Sequence, residues 1–148
     1  MKRLWFVLAL AALPCISRAD DMCAAFARFA KVISDGEPHT VKLLTDWFPE
    51  PKAACQHTDY IPGIELCQWL VSHSSMEFMT INIGRALECA GIHRVATHGQ
   101  YPHVDSLAGK VSSDNFTSKD VSLVIEFDSS PTDGLPWLSV TITRFDKK

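Results

Sequence analysis

The feature that most restricts the fold of this chain is its set of cysteines. Five are present, at positions 15, 23, 55, 67 and 89. The first lies in an N-terminal stretch with the features of a signal peptide, so four remain in the mature chain. An even number of cysteines in an exported chain indicates two disulfides. Four cysteines allow three pairings, and their spacing alone does not select one of them.

The first nineteen residues have the organisation of a secretory signal peptide. Lys2 and Arg3 form a positive start, residues 4–13 are apolar, and small residues occupy the −3 and −1 positions of a cleavage site after Ala19. The apolar run is shorter than the roughly 20 residues that a membrane-spanning helix needs. We therefore expect residues 1–19 to be cleaved and the protein to be periplasmic or secreted.

The mature chain is acidic. Removal of residues 1–19 takes away three basic residues and no acidic one, so the formal net charge falls from −3 to −6. Phosphate recognition needs a basic face, so nucleic acid is excluded as a partner. Residues 20–148 suit one domain, and they contain no further apolar segment that could span a membrane.

Residues 20–36 have the pattern of an amphipathic helix. Asp20 or Asp21 can cap its start, and Gly36 can stop it. Its apolar stripe follows the helical repeat and comprises Met22, Phe26, Phe29, Ala30 and Ile33. We expect this stripe to pack in the core.

A second helix is predicted to begin at residues 74–77. Ser74 and Glu77 have the spacing of a capping box, and Gly91 provides a stop. Its main apolar stripe comprises Met76, Met79, Ile83, Ala86, Leu87 and Ala90. Phe78 and Cys89 lie on another side, so we expect this helix to pack between the sheet and the first helix.

The C-terminal part of the chain has the pattern of antiparallel strands. Residues 121–127 and 138–142 alternate between apolar and polar, and the turn-forming residues 129–134 separate them. We expect these two runs to form a hairpin, with a short additional strand around Val111. Residues 37–54 do not decide between a helical turn and an extended segment.

The apolar run at residues 66–71 is interpreted as a buried strand, preceded by a Pro-Gly turn at residues 62–63. A hairpin-like reversal there would bring two cysteines together and leave the other two to join the helices. We therefore predict the disulfides Cys55–Cys67 and Cys23–Cys89. The resulting order predicts an α+β fold, with a small antiparallel sheet of three or four strands and two main helices on one face.

The sequence gives only weak evidence for catalytic residues. No G-x-S-x-G elbow is present, and His93, His98 and His103 recur every five residues, which matches neither one helix face nor one strand face. Glu126 and Asp128 share a strand face, and we expect that face to be solvated. We therefore expect neither a catalytic site nor a cofactor.

The remaining candidates are aromatic. Trp47 and Phe48 precede a loop with two prolines, and Tyr60 and Tyr101 lie in polar segments. Aromatic residues dominate interface hot spots. The first hypothesis is therefore a non-catalytic protein that binds another protein, of inhibitor or immunity type, and the acidic charge favours a basic partner.

Two alternatives remain open at this point. One is a small exported hydrolase or metal-dependent enzyme that uses the histidine-rich residues 93–105. The other is a small-ligand carrier with a pocket between the sheet and the helices.

Overall fold

The computed structural model describes residues 18–34, 36–46, 49–57, 59–92 and 107–145. These contain three helices and five strands, in the order α1 (Arg18–Val32), β1 (His39–Asp46), β2 (Lys52–His57), α2 (Ile61–His73), α3 (Met79–Cys89), β3 (Ala108–Ser113), β4 (Val121–Asp128) and β5 (Trp137–Arg144). The predicted α+β class is confirmed.

The five strands form one antiparallel sheet in the order β2-β1-β5-β4-β3. The expected three or four strands are therefore too few, because residues 39–57 supply both β1 and β2. In β1 the side chains of Val41, Leu43 and Thr45 are buried and alternate with half-buried ones, as expected of a strand with one face on the core. The last strand pairs with the first, so that Val41 lies opposite Val140.

The helices cover one face of the sheet. The core-facing side chains of β4 and β5 are fully or almost fully buried, and α3 packs on both of these strands. The second helix, α2, packs on β1 and β2, and α1 contacts both other helices. The apolar stripe predicted for α1 is confirmed, since Met22, Phe26, Phe29, Ala30 and Ile33 are all buried. The predicted β4–β5 hairpin and the short strand around Val111 are also confirmed.

The prediction for residues 62–71 is wrong. They belong to α2, and Pro62 lies in the first turn of this helix rather than in a hairpin turn. A proline fits there because its missing N–H would have no partner within the helix. Leu66, Cys67 and Leu70 are buried, with the spacing of one helix face. A short run of consecutive apolar residues does not by itself distinguish a buried strand from a buried helix.

Both predicted disulfides are confirmed. Cys23–Cys89 joins α1 to α3, and Cys55–Cys67 joins β2 to α2, with Cα–Cα distances of 5.1 and 5.4 Å. The second bond therefore links the edge of the sheet to a helix, not two arms of a hairpin. Such bonds are compatible with a periplasmic or extracellular location.

Residues 1–17 lie outside the described part of the chain. The described part of α1 begins at Arg18, so cleavage after Ala19 would remove two residues of this helix. Among the helices of the described ranges, none combines the length and the apolar character needed to cross a membrane.

Candidate functional site

Of the four predicted binding aromatics, Tyr60 is described, whereas Trp47, Phe48 and Tyr101 lie outside the described residues. The Tyr60 hydroxyl donates a hydrogen bond to the carbonyl oxygen of Val32 at 3.1 Å. The Tyr60 ring stacks on His39, with 4.2 Å between the ring centroids. These contacts tie the start of α2 to the end of α1 and to β1, which gives Tyr60 a structural role.

The predicted metal candidates His93, His98 and His103 also lie outside the described residues. Within the ranges that are described, no group of three His, Cys, Asp or Glu side chains is placed to hold a metal ion. Glu126 forms an ion pair with Lys110, with 3.0 Å between the carboxylate oxygen and the ammonium nitrogen. Asp128 accepts a hydrogen bond from the Ser130 backbone N–H at 2.9 Å.

A buried amide organises the connection between α2 and α3, residues 74–78, which we call the α2–α3 loop. Asn82 is fully buried in the first turns of α3. Its side-chain oxygen accepts a hydrogen bond from the Ser75 N–H, and its NH₂ group donates one to the Ser75 carbonyl, both at 2.8 Å. One side chain therefore satisfies both backbone groups of Ser75.

Two further hydrogen bonds hold the ends of this loop. The Phe78 N–H donates to the Ser75 hydroxyl at 3.1 Å. The guanidinium of Arg85 donates to the carbonyl oxygen of His73, also at 3.1 Å. The loop backbone is thus fixed from both flanking helices, so a partner that binds here meets a surface that is already ordered.

This fixed loop exposes large apolar side chains. Met76, Phe78 and Ile81 are 46%, 53% and 42% exposed. Phe78 is the N-cap of α3, and its carbonyl oxygen accepts a hydrogen bond from the Ile81 N–H at 3.1 Å, so both residues belong to the start of this helix. We call these three residues the apolar corner. Grouped exposed apolar side chains mark interaction sites more often than isolated ones do.

The sequence prediction for this region was wrong in detail. Met76 was assigned to the buried stripe, but α3 begins only at Met79, with Phe78 as its N-cap. The predicted Ser74–Glu77 capping box does not form, and within the described residues the Ser74 hydroxyl has no hydrogen-bond partner. The signal that could have indicated the corner is Asn82, a lone amide beside the apolar stripe and seven residues after Ser75.

Two open grooves border α2. One lies between α1 and α2 and has a volume of about 480 Å³. The other lies between β2 and α2, over the Cys55–Cys67 disulfide, and has a volume of about 460 Å³. Both fall within the range of roughly 300–1,000 Å³ that is usual for small-molecule sites.

Comparisons of the chain with protein-family models, with curated proteins and with solved structures found no match. The class of this protein is therefore described from its fold and its candidate site alone. In the residues that the structure describes, it is an α+β protein with three helices on one face of a five-stranded antiparallel sheet, two disulfides and an ordered apolar corner.

Proposed function

We propose that this protein is an exported, non-catalytic binding protein that acts by occupying the surface of another protein, as an inhibitor or an immunity-type protein does. The contact surface in this proposal is the apolar corner. The observation that carries it is the exposure of Met76, Phe78 and Ile81 on a loop whose backbone is held by a buried amide.

A partner that covers the apolar corner would bury apolar surface without having to order the α2–α3 loop. Each of these side chains still exposes about half of its surface, and covering that half contributes about 1 kcal/mol. Because the loop backbone is already hydrogen-bonded, little of this gain is lost to ordering. Aromatic residues and methionine are enriched in the buried centres of protein interfaces, as Phe78 and Met76 would be here.

Charge favours a basic partner. At the loop itself the exposed Glu77 is offset by Arg85, which is hydrogen-bonded to the His73 carbonyl oxygen, so the preference for a basic partner rests on the charge of the whole chain. The chain as a whole carries 17 acidic and 14 basic residues. Complementary charge around an apolar contact accelerates association, and salt weakens this acceleration.

A capture experiment with matched variants tests the proposal. Mature protein immobilised on beads would be incubated with an extract of its own cell envelope, beside the double variant M76A/F78A and the control F145A. Phe145 is 53% exposed, as Phe78 is, but it follows β5 and does not belong to the apolar corner. We expect a protein captured by the wild type and by F145A to be lost with M76A/F78A.

The melting temperature of each variant must be measured as well. Substitutions of exposed side chains usually change stability by about 0.5 kcal/mol or less, so M76A/F78A should melt close to the wild type. Equal capture by M76A/F78A and the wild type would reject the corner as the contact surface. The predicted binding roles of Trp47, Phe48, Tyr60 and Tyr101 remain predictions, as does the enzyme alternative at residues 93–105.

A further inference from the structure

The groove between α1 and α2 has an apolar floor. Phe29 and Leu66 are almost completely buried beneath it, and Trp69 is half-buried on its α2 side. Val32, at the end of α1, lines the groove and is 52% exposed. The apolar surface is therefore continuous from the core to the mouth of the groove.

The rim of the groove on the α1 side is cationic. Arg28 and Lys31 both line it, and their separation of three residues places them side by side on the helix surface. Both side chains are exposed, and neither is in an ion pair with any residue of the described ranges. Glu65 is the one acidic residue among those that line the groove. The groove thus carries two positive charges to one negative charge, in a chain that is acidic overall.

We infer that this groove binds an amphipathic anion, namely a free alkyl carboxylate of medium chain length. The alkyl chain lies along Phe29, Leu66 and Trp69, and the carboxylate faces Arg28 and Lys31. A guanidinium can hold a carboxylate through two parallel hydrogen bonds, and the ammonium group beside it adds a third donor. This inference does not depend on the proposed function, since the groove and the apolar corner share no residue.

The charges of the groove should distinguish an alkyl carboxylate from other amphiphiles with the same alkyl chain. A neutral alcohol of the same length covers the floor but leaves both cations without a counter-charge. A quaternary ammonium amphiphile places like charge against Arg28 and Lys31. Burial of the alkyl chain gives all three the same apolar contribution, so the difference between them reports on the cations.

Isothermal titration calorimetry on the mature protein tests the inference. Octanoate, decanoate and dodecanoate would be titrated below their critical micelle concentrations, with decanol and decyltrimethylammonium for comparison. We expect the affinity to rise about fourfold for each added methylene. Decanoate should bind roughly tenfold or more tightly than decanol, and decyltrimethylammonium should bind most weakly.

A charge-reversal pair locates the site. The variant R28E/K31E should weaken decanoate binding roughly tenfold or more. The control K52E/K119E changes the net charge equally at exposed positions away from the groove and should bind as the wild type does. In ¹⁵N-HSQC spectra, decanoate should shift the amide signals of residues 25–32 and 63–69.

The variant M76A/F78A separates this site from the apolar corner, because it should bind decanoate as the wild type does. Equal binding of decanol and decanoate would overturn the inference, and so would unchanged binding by R28E/K31E. Shifts confined to other parts of the chain would overturn it as well.

Discussion

At the scale of single residues, Asn82 is a side chain whose substitution should lower the stability of the protein. It is fully buried, yet its amide makes both of its hydrogen bonds to one backbone unit, that of Ser75. A buried polar side chain with satisfied partners specifies one loop conformation, whereas a buried N–H or C=O without a partner costs free energy. Asn82 therefore determines how the apolar corner is presented.

The first residue-scale prediction concerns this amide. Asn82→Ala leaves the N–H and carbonyl of Ser75 without partners and should lower the free energy of unfolding by about 2 kcal/mol. Asn82→Asp keeps the acceptor for the Ser75 N–H but buries a carboxylate against the Ser75 carbonyl oxygen, so at neutral pH it should destabilise the protein at least as much as Asn82→Ala does. Urea denaturation measures these differences, and the exposed Asn115→Ala serves as control. Equal stability of all four proteins would contradict the assigned role.

At the scale of elements, the sequence predicted α1, β4 and β5 from their hydrophobic periods, but it predicted one disulfide from a turn that does not form. The stripe of α1 and the alternation of β4 and β5 have a clear period, because each of these elements buries one face. The period of α2 was hidden, since its apolar residues at 66, 67, 69, 70 and 71 fall almost consecutively. The pair Cys55–Cys67 was predicted from a hairpin that does not exist. It was nevertheless correct, because a helix that folds back on β2 also brings the two cysteines together.

The candidate site was less predictable than the fold. Exposure of Met76 depends on where α3 begins, and the first residue of a helix is set by its local hydrogen bonds. Here those bonds come from Ser75 and Asn82, and neither belongs to a capping pattern that can be read from spacing. The α1–α2 groove forms where two helices pack against each other. It could not be predicted, because residues 66–71 were interpreted as a strand and not as part of α2.

The element-scale prediction compares the two disulfides. The Cys23–Cys89 bond closes a loop with a sequence separation of 66, and the Cys55–Cys67 bond one of 12. From loop-closure entropy, C23A/C89A should destabilise the protein by about 4 kcal/mol and C55A/C67A by about 3 kcal/mol. Guanidinium denaturation under identical conditions gives the order. A larger loss for C55A/C67A would show that packing around β2 and α2 outweighs chain entropy.

At the scale of the whole molecule, the first and the last strand of the described chain pair with each other inside the sheet. Leu43 of β1 lies opposite Leu138 of β5, and both are fully buried. On the other face of the sheet, Thr40 and Thr141 share a hydrogen bond of 2.8 Å. The β1–β5 pairing therefore joins the disulfide-linked N-terminal part to the C-terminal strands.

The whole-molecule prediction tests this junction with a double-mutant cycle. Leu43→Ala and Leu138→Ala should each cost about 3 kcal/mol, because each leaves a cavity in the core. As direct neighbours they should be coupled by about 1 kcal/mol. Leu43→Ala with Val121→Ala should instead be additive, since Val121 lies opposite Arg144, at the far end of β5 from Leu138. Additivity in the first pair would contradict the pairing.

The position of the cysteines has a consequence for the order in which the molecule is completed. All four paired cysteines precede residue 90, whereas β3, β4 and β5 follow it. A chain that enters an oxidising compartment with its N-terminus first presents all four thiols before its last three strands arrive. Both bonds can then close around β1 and β2 while β1 still lacks the neighbour that completes the sheet. In such a chain the C-terminal strand arrives last, and both covalent links can form before the sheet is complete.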